Sequence, residues 1–491
     1  MRKVILPIVC ASLLSAGGAF AQWRQPVSSK TIGDSILPLP PVTDCYRNCG
    51  DGLDAERDWA NTAGNTDFNS TTSWSAGVVP TAGDVAWFKA AEVVNPNLSS
   101  SVSIAGLYFN GTTSSGYDVT SSNSGVVFTL TGVGTTGNGG TSNSSAAAVR
   151  SEITSGTNTI DAPLNLGAAA AATQVLFQSA GGTLVINGVI SSTNAVTLSM
   201  KGTGTIQLNG ANTFTSGSNI NDAGTVLVVG NDSALGTGTF TMSSSGFLQA
   251  GGGTRTLANA IVLGGNTTIS GTNAFIFNGT TTSSGSNSRS LTVNNTGGVT
   301  MNGNVFLSES DSTPRSLLIN GSSNVTINGV VANNNVGNTL ASPLKYSGTG
   351  ILTLNNANTY SGGTSLNLAG GTIVANHDGA FGTGNITLTV AAVTLTLQNG
   401  ATNNYIADTA NLSLLTGNTV NLSFNGTDTI NELVINGVVQ PAGTYNNSNE
   451  ASLLFGNGNL VVLIPEPSTW MMLALGAGLL LSVQRFRRKL Q

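Results

Sequence analysis

The sequence predicts an all-β fold, mostly a parallel β-solenoid, for the body of this 491-residue chain. Glycine accounts for 63 residues, and charged residues make up only 8%, against about 25% in an average soluble protein. Many short stretches alternate apolar and polar residues with the period of two that is typical of β-strands. A long phrase of the sequence also returns further along the chain, which indicates a repeat architecture.

Composition excludes several classes of function. A net charge of −5 with 17 Lys+Arg provides no basic surface for nucleic acid. One histidine and three cysteines are too few for a multi-histidine metal site, a zinc ribbon or an iron–sulfur cluster. We therefore expect no cofactor, no structural metal and no nucleic-acid partner.

The first 21 residues read as a secretory signal peptide. Arg2 and Lys3 precede an apolar run over 4–14, and the small-residue motif Ala19-Phe20-Ala21 follows. A positive start, a short apolar core and an A-x-A ending predict cleavage after Ala21. The alternative is an ordinary buried helix.

Residues 22–58 form an irregular segment that is rich in proline and acidic residues. It contains Cys45 and Cys49, the only cysteines outside the leader. In an oxidising compartment their spacing permits a local disulfide, with two free thiols as the alternative. A redox site is disfavoured because the spacing is not C-x-x-C.

Residues 59–139 are interpreted as an N-terminal β cap or as the first rungs of the solenoid. Trp59, Trp74 and Trp87 concentrate here, and we expect them to pack in the core, with sugar stacking as the alternative. The predicted strands are Val102–Phe109, Tyr117–Thr120 and Val126–Leu130.

The main repeat lies within 140–460. The phrase that starts at Gly202 returns at Gly348, and Gly204 matches Gly350 at an offset of 146 residues (350 − 204). Alternation within both copies predicts four inward-pointing side chains. These are Ile206, Leu208, Leu352 and Leu354.

The two copies, at about 201–230 and 346–376, resemble the autotransporter-associated β-strand repeat. The second copy contains the phrase G-T-G-I-L-T-L-N-N-A-N-T-Y-S-G-G-T, while the first departs from the pattern at 215–218. The resemblance implies a parallel β-solenoid. Stacked Asn and Thr are expected to continue hydrogen bonding between coils. A string of β-sandwich domains is the alternative fold.

The C-terminal segment 461–491 carries a motif, a short apolar run and a cationic tail. Pro465-Glu466-Pro467 precedes the predicted transmembrane helix 470–483, and Arg485, Arg487, Arg488 and Lys489 follow it. A 14-residue helix spans about 21 Å, so its cationic flank must snorkel to cover a bilayer of about 30 Å. A plain membrane anchor is the alternative interpretation.

This arrangement resembles the PEP-CTERM sorting signal. The resemblance implies three partners: an exosortase-type membrane enzyme, the inner membrane before processing, and exopolysaccharide at the final location. It therefore predicts an exported structural or adhesin-like protein that ends at the cell surface or in the extracellular matrix.

We expect no catalytic site, because the acids of the central region follow no shared spacing. His377 is expected to be a solvated turn residue, and Asp232 and Asp378, at the repeat offset, to stabilise turns through their own backbone. A carbohydrate-active β-helix enzyme, with converging acids, and a carbohydrate-binding protein, with a row of exposed aromatics, are the alternatives. The scattered acids are Asp222, Asp232, Glu309, Asp311, Asp378, Asp408, Asp428 and Glu432.

Overall fold

A computed structural model describes residues 56–60, 64–89, 94–110, 116–132, 148–285, 287–309, 313–337, 339–463 and 485. The predicted leader, almost all of the acidic segment 22–58 and the predicted membrane helix 470–483 lie outside these ranges. The described chain is almost entirely β-structure, with one short 3-10 helix at Thr71–Ser73.

Forty-four short strands make up this part of the chain. In chain order they are β1 (Glu56–Asp58), β2 (Val85–Phe88), β3 (Asn97–Leu98), β4 (Val102–Ile104), β5 (Gly106–Phe109), β6 (Asp118–Ser121), β7 (Phe128–Leu130), β8 (Val149–Ser151), β9 (Thr157–Ile160), β10 (Leu164–Leu166), β11 (Thr173–Gln178), β12 (Thr183–Ile186), β13 (Ile190–Ser192), β14 (Thr197–Lys201), β15 (Thr205–Leu208), β16 (Ser218–Ile220), β17 (Val226–Val229), β18 (Phe240–Met242), β19 (Phe247–Ala250), β20 (Arg255–Leu257), β21 (Ile261–Leu263) and β22 (Thr267–Ser270). They continue with β23 (Phe275–Phe277), β24 (Thr281–Ser283), β25 (Arg289–Val293), β26 (Val299–Met301), β27 (Val305–Ser308), β28 (Leu317–Gly321), β29 (Val325–Ile327), β30 (Val331–Asn334), β31 (Leu344–Gly348), β32 (Ile351–Leu354), β33 (Thr364–Leu366), β34 (Thr372–Ala375), β35 (Ile386–Leu388), β36 (Thr394–Gln398), β37 (Asn411–Leu414), β38 (Thr419–Ser423), β39 (Thr427–Ile430), β40 (Glu432–Ile435), β41 (Val438–Val439), β42 (Gly443–Tyr445), β43 (Leu454–Gly456) and β44 (Asn459–Val462).

The strands form five sheets, which we number 1 to 5. Sheet 1 has twelve strands (β1-β2-β5-β8-β11-β14-β16-β18-β21-β24-β27-β30), and sheet 2 has sixteen (β3-β6-β9-β12-β15-β17-β19-β22-β25-β28-β31-β33-β35-β37-β40-β41). Sheet 3 has four (β13-β10-β7-β4), sheet 4 has nine (β20-β23-β26-β29-β32-β34-β36-β38-β43) and sheet 5 has three (β39-β44-β42). From β2 to β13 each coil passes through sheets 1, 2 and 3, and from β18 to β32 the coils pass through sheets 1, 2 and 4. The strands β14 to β17 alternate between sheets 1 and 2, and from β31 to β38 the chain alternates between sheets 2 and 4.

Parallel pairing confirms the solenoid. Among the described strands only β40–β41 and β42–β44 pair antiparallel, so a string of antiparallel sandwiches is excluded. The period-two alternation buries one face of each strand. Ile206, Leu208, Leu352 and Leu354 all point inward and are fully buried, as predicted. The first predicted strand is divided by Ala105 into β4 and β5.

The two repeat copies occupy different faces of the solenoid. The first copy places β15 in sheet 2, whereas the matching β32 of the second copy lies in sheet 4. Six steps along sheet 2 (from β15 through β17, β19, β22, β25 and β28 to β31) precede β32. The 146-residue offset therefore corresponds to six coils and one further face.

Aromatic residues fill the N-terminal end of the core. Trp59 and Trp74 pack edge to face at 5.2 Å between ring centroids, and Phe68 contacts both rings. Trp59 and Trp74 are 5% and 2% exposed, so the prediction of core packing is confirmed for them. The strands from β2 onward pair in parallel with their successors, so this stretch forms the first coils.

Antiparallel strands close the C-terminal end. Asn436 and Gly437 both have positive φ, 50° and 78°, and this Asn-Gly pair turns β40 back into the two-residue strand β41. Such a turn matches the twist of paired strands. Pro441 follows β41 after one residue, Gln440, and a short edge close to a proline resists the addition of another strand.

Candidate functional site

The residues of the predicted sorting signal and leader lie almost entirely outside the described ranges. This applies to Ala19, Ala21, Cys45, Cys49, Pro465, Glu466, Pro467, Arg487, Arg488 and Lys489. Arg485 alone is described, as a helical and exposed residue. Within the described ranges, no helix is long and apolar enough to cross a membrane.

Three of the scattered acids join neighbouring coils. Asp222 accepts a hydrogen bond from the Gly202 backbone N–H at 2.8 Å, and Asp232 accepts one from that of Thr256 at 3.1 Å. Asp378 accepts from the backbone N–H of Thr402 at 2.8 Å. The repeat-related acids therefore hold the next coil, and not their own turn as the sequence led us to expect.

Asp378 accepts two further bonds, from the Thr402 hydroxyl at 3.0 Å and from the Asn404 backbone N–H at 3.0 Å. Burial opposes ionisation, but these donors outweigh it and lower the pKa of the Asp378 carboxyl. Its neighbour His377 is exposed, as predicted, with Nδ1 2.7 Å from the Asp378 carbonyl oxygen. The contacts of both residues are therefore contacts that stabilise the fold.

A second polar cluster lies where sheet 1 passes into sheet 2. Glu309 accepts a hydrogen bond from the Ser284 hydroxyl, one from the Gly285 N–H at 2.7 Å, and pairs with Arg315 at 3.1 Å. The Ser284 bond contributes most to lowering the pKa of Glu309. Arg289 Nε donates to the Ser284 carbonyl at 2.6 Å. The charged groups of this corner are therefore bonded to one another or to the adjacent backbone.

Among the described acids of the group, Asp428 is the one that faces the core; Asp311 lies outside the described residues. It is 1% exposed; Oδ2 accepts from the Ile406 N–H at 3.3 Å, and Oδ1 has no partner among the described residues. Burial raises its pKa to about 8, and the negative charges of Asp408 and Asp378 add to the effect. A carboxyl held in the apolar interior is directed away from any surface cleft.

Asp378 and Asp408 are near enough to Asp428 for their charges to raise its pKa, while Asp222, Asp232, Glu309 and Glu432 make their contacts elsewhere along the solenoid. In the part of the chain that the structure describes, no three side chains of the His, Cys, Asp or Glu type are grouped as metal ligands. The arrangement ties coils together. Outside it, Asp118 and Asp161 form a carboxyl pair; burial, then the charge of Asp161 and its hydrogen bond, raise the pKa of Asp118.

An aromatic pair lies on the outer side of sheet 1. Trp87 and Tyr108 are adjacent in register, with ring centroids 4.3 Å apart. Both are covered, at 7% and 4% exposure, so they are no exposed row for sugar stacking. Next to them, Arg150 lies 4.3 Å from the Phe177 ring centroid and pairs with Glu152.

Asparagine side chains form a continuous column along one edge of sheet 4. Each amide donates to the amide oxygen of the preceding coil, over distances of 2.6 to 3.0 Å. The predicted stacking of Asn between coils is therefore confirmed. The column consists of Asn278, Asn302, Asn328, Asn355, Asn376 and Asn399.

A second column, rich in threonine, runs beside the amides on the outer face of sheet 4. Its members pair in unbroken register from β20 to β43, and all but the last are half-buried. Sequence reasoning missed it, although the recurring Thr-x-Asn of Thr300, Thr326 and Thr353 marks it. The column is Thr256, Ile276, Thr300, Thr326, Thr353, Val374, Thr396, Asn421 and Phe455.

The comparisons with known proteins provide no relative in which the fold and its polar columns could be compared. No protein-family model, curated protein or solved structure matches the chain.

Proposed function

We propose that this chain is an exported structural or adhesin-like protein, delivered to the cell surface or extracellular matrix by its C-terminal sorting segment. A membrane-embedded enzyme of the exosortase type would read Pro465-Glu466-Pro467 while the helix 470–483 holds the chain at the inner membrane. The segment resembles the PEP-CTERM signal in motif, order and charge. The cationic tail would stay cytoplasmic, which orients the solenoid outward.

The observation that carries the proposal is a long, weakly charged solenoid whose last described strand ends just before the motif. Only Leu463 and Ile464 separate the end of β44 from Pro465. β44 is the central strand of sheet 5, between β39 and β42. Processing at the motif would therefore remove none of the described strands, and the released body would keep their core.

The solenoid supports a structural role more than a catalytic one. Asp222, Asp232 and Asp378 bond backbone groups of adjacent coils, and Glu309 is paired with Arg315. These four carboxylates therefore make structural contacts within the fold. A rigid rod with regular faces is suited to repeated contacts with a surface or polymer.

The test is replacement of Pro465-Glu466-Pro467 by three alanines in cells that carry the processing enzyme. We expect export to continue and processing to stop, so that full-length protein accumulates in the inner-membrane fraction. Ser468→Ala with Thr469→Ala is the control, since it alters the same region outside the motif and should be processed normally. Intact-mass measurement and cell fractionation show whether the protein is processed and where it accumulates. Normal processing of the triple variant contradicts the proposal.

A further inference from the structure

The outer face of sheet 4 differs from the other long faces in its charge. Arg255 is the only charged residue among its nine strands, and it pairs in register with the buried Phe275, outside the threonine column. Sheet 2 and sheet 1 carry four and five charged residues in their strands. These are Asp118, Arg289, Lys345 and Glu432 in sheet 2, and Glu56, Arg57, Asp58, Arg150 and Lys201 in sheet 1. The face of sheet 4 is thus neutral along its whole length.

This face presents both polar and apolar groups to solvent. Thr300, Thr326, Thr353 and Thr396 each present a hydroxyl and a methyl group, and no hydrogen bond within the described chain engages these four hydroxyls. The asparagines lie two residues further along most strands, and side chains two apart share a face. After its bond to the preceding coil, each column amide still has a second N–H to donate.

The two columns have the periodicity of the solenoid. Neighbouring strands lie about 4.8 Å apart, so the threonine column extends over about 38 Å across nine strands, and the asparagine column over about 24 Å across six of them. Residues two apart along a strand are separated by about 6.6 Å, which leaves a shallow track between threonines and amides. The core fixes both columns, so binding would order few protein side chains.

We propose that this track binds an uncharged, extended polysaccharide that runs parallel to the solenoid axis. The inference rests on the proposed surface location and names its partner. Hydroxyls of the sugar would bond the threonine hydroxyls and the amides, while the methyl groups and Ile276 and Val374 cover the apolar faces of the rings. Neutrality of the face favours a neutral polymer, because an acidic one would gain no ion pair there.

The experiment compares two quadruple variants of the full chain, purified in mild detergent, by affinity electrophoresis. The sheet 4 variant changes Thr300, Thr326, Thr353 and Thr396 to valine, which removes hydroxyls and keeps shape. The matched control changes Thr183, Thr205, Thr268 and Thr292 to valine; these are half-buried, outward threonines of sheet 2. Gels contain hydroxyethyl cellulose, galactomannan or dextran as neutral polymers, or alginate as an acidic one.

We expect at least one neutral polymer to retard the wild type and the sheet 2 variant equally. The sheet 4 variant should bind about tenfold or more weakly, because several hydrogen bonds are lost. Circular dichroism and thermal unfolding should show that both variants fold. The proposal is overturned if no neutral polymer retards the wild type, if alginate retards it most, or if both variants weaken alike.

Two further measurements separate this inference from other outcomes. Sedimentation without polymer should show the same oligomeric state for all three proteins; a dimer lost only in the sheet 4 variant makes the face a self-interface and overturns the proposal. In cells, the sheet 4 variant should be exported and processed like the wild type. Binding that persists when processing fails would refute the sorting proposal alone.

Discussion

Asn212 and Asn358 make the same two hydrogen bonds on different faces of the solenoid. Asn212 Oδ1 accepts from the Ile190 N–H at 2.7 Å, and its Nδ2 donates to the Ala234 carbonyl at 2.7 Å. Asn358 repeats this with Val331 N–H at 2.7 Å and the Ala380 carbonyl at 2.6 Å. Each side chain thus joins the coil before it to the coil after it.

Replacing Asn358 by alanine should lower the free energy of unfolding by about 1–3 kcal/mol, because a buried N–H and a buried carbonyl lose their partner. Equilibrium urea denaturation measures it. Asn356→Ala is the control at a half-buried position, where one solvent-exposed hydrogen bond to the Asn328 carbonyl is lost and we expect a smaller change of about 0.5 kcal/mol. Equal effects at the two positions would contradict the bridging role.

The hydroxyls of Tyr360 and Thr364 should be energetically coupled. They lie 2.5 Å apart in the buried core, whereas the first copy has Phe214 and Ser218 in their places. A double-mutant cycle with Tyr360→Phe and Thr364→Val should give a coupling of about 1 kcal/mol. Thr364→Ser keeps the hydroxyl and should retain most of that coupling. Additive effects in the cycle would rule the interaction out.

Gly382→Ala should destabilise the fold more than Gly370→Ala. Both glycines have positive φ, +63° and +85°, so each alanine costs about 1–2 kcal/mol of backbone strain. A Cβ at position 382 would also lie 2.1 Å from the Tyr360 carbonyl oxygen, while one at 370 meets no atom within 4 Å. We expect a further cost of about 1–3 kcal/mol at 382. Thermal unfolding compares the two; similar melting temperatures would show that the close approach is relieved easily.

Because of Asp428, the free energy of unfolding should fall as pH rises from about 4 to 8. Below 3.8, the ordinary pKa, the carboxyl is protonated in both states. Between 3.8 and about 8 the unfolded chain releases the proton while the folded core retains it, so unfolding becomes easier with pH. Above 8 this contribution is constant.

The Asp428→Asn variant should lack that decline when urea denaturation is followed from pH 4 to 9. Glu450→Gln, which removes a carboxyl in the same C-terminal coils, should retain it. A wild type and an Asp428→Asn variant with parallel pH profiles would show that the buried carboxyl titrates normally.

The fold class and the inward face of the strands could be predicted because both are local properties of the sequence. Alternation placed Ile206 and Leu352 in the core, and the inter-coil asparagine bonds follow from a repeated residue at a repeated place. Asp378 was expected to bond the backbone of its own turn, and that prediction was wrong. Its partner is the Thr402 backbone, which only the stacking of coils brings next to it.

The sequence by itself determined the strands, the repeat and the residue types available to each corner. Only the tertiary structure decided which face each copy occupies, because a 146-residue offset fixes a position around the solenoid only when the length of every intervening coil is known. For the same reason, Thr300, Thr326 and Thr353 become one column only after β26, β29 and β32 pair in register. Asp428 faces the core because the register of β39 with β44 turns its side chain inward, whatever its intrinsic preference for water.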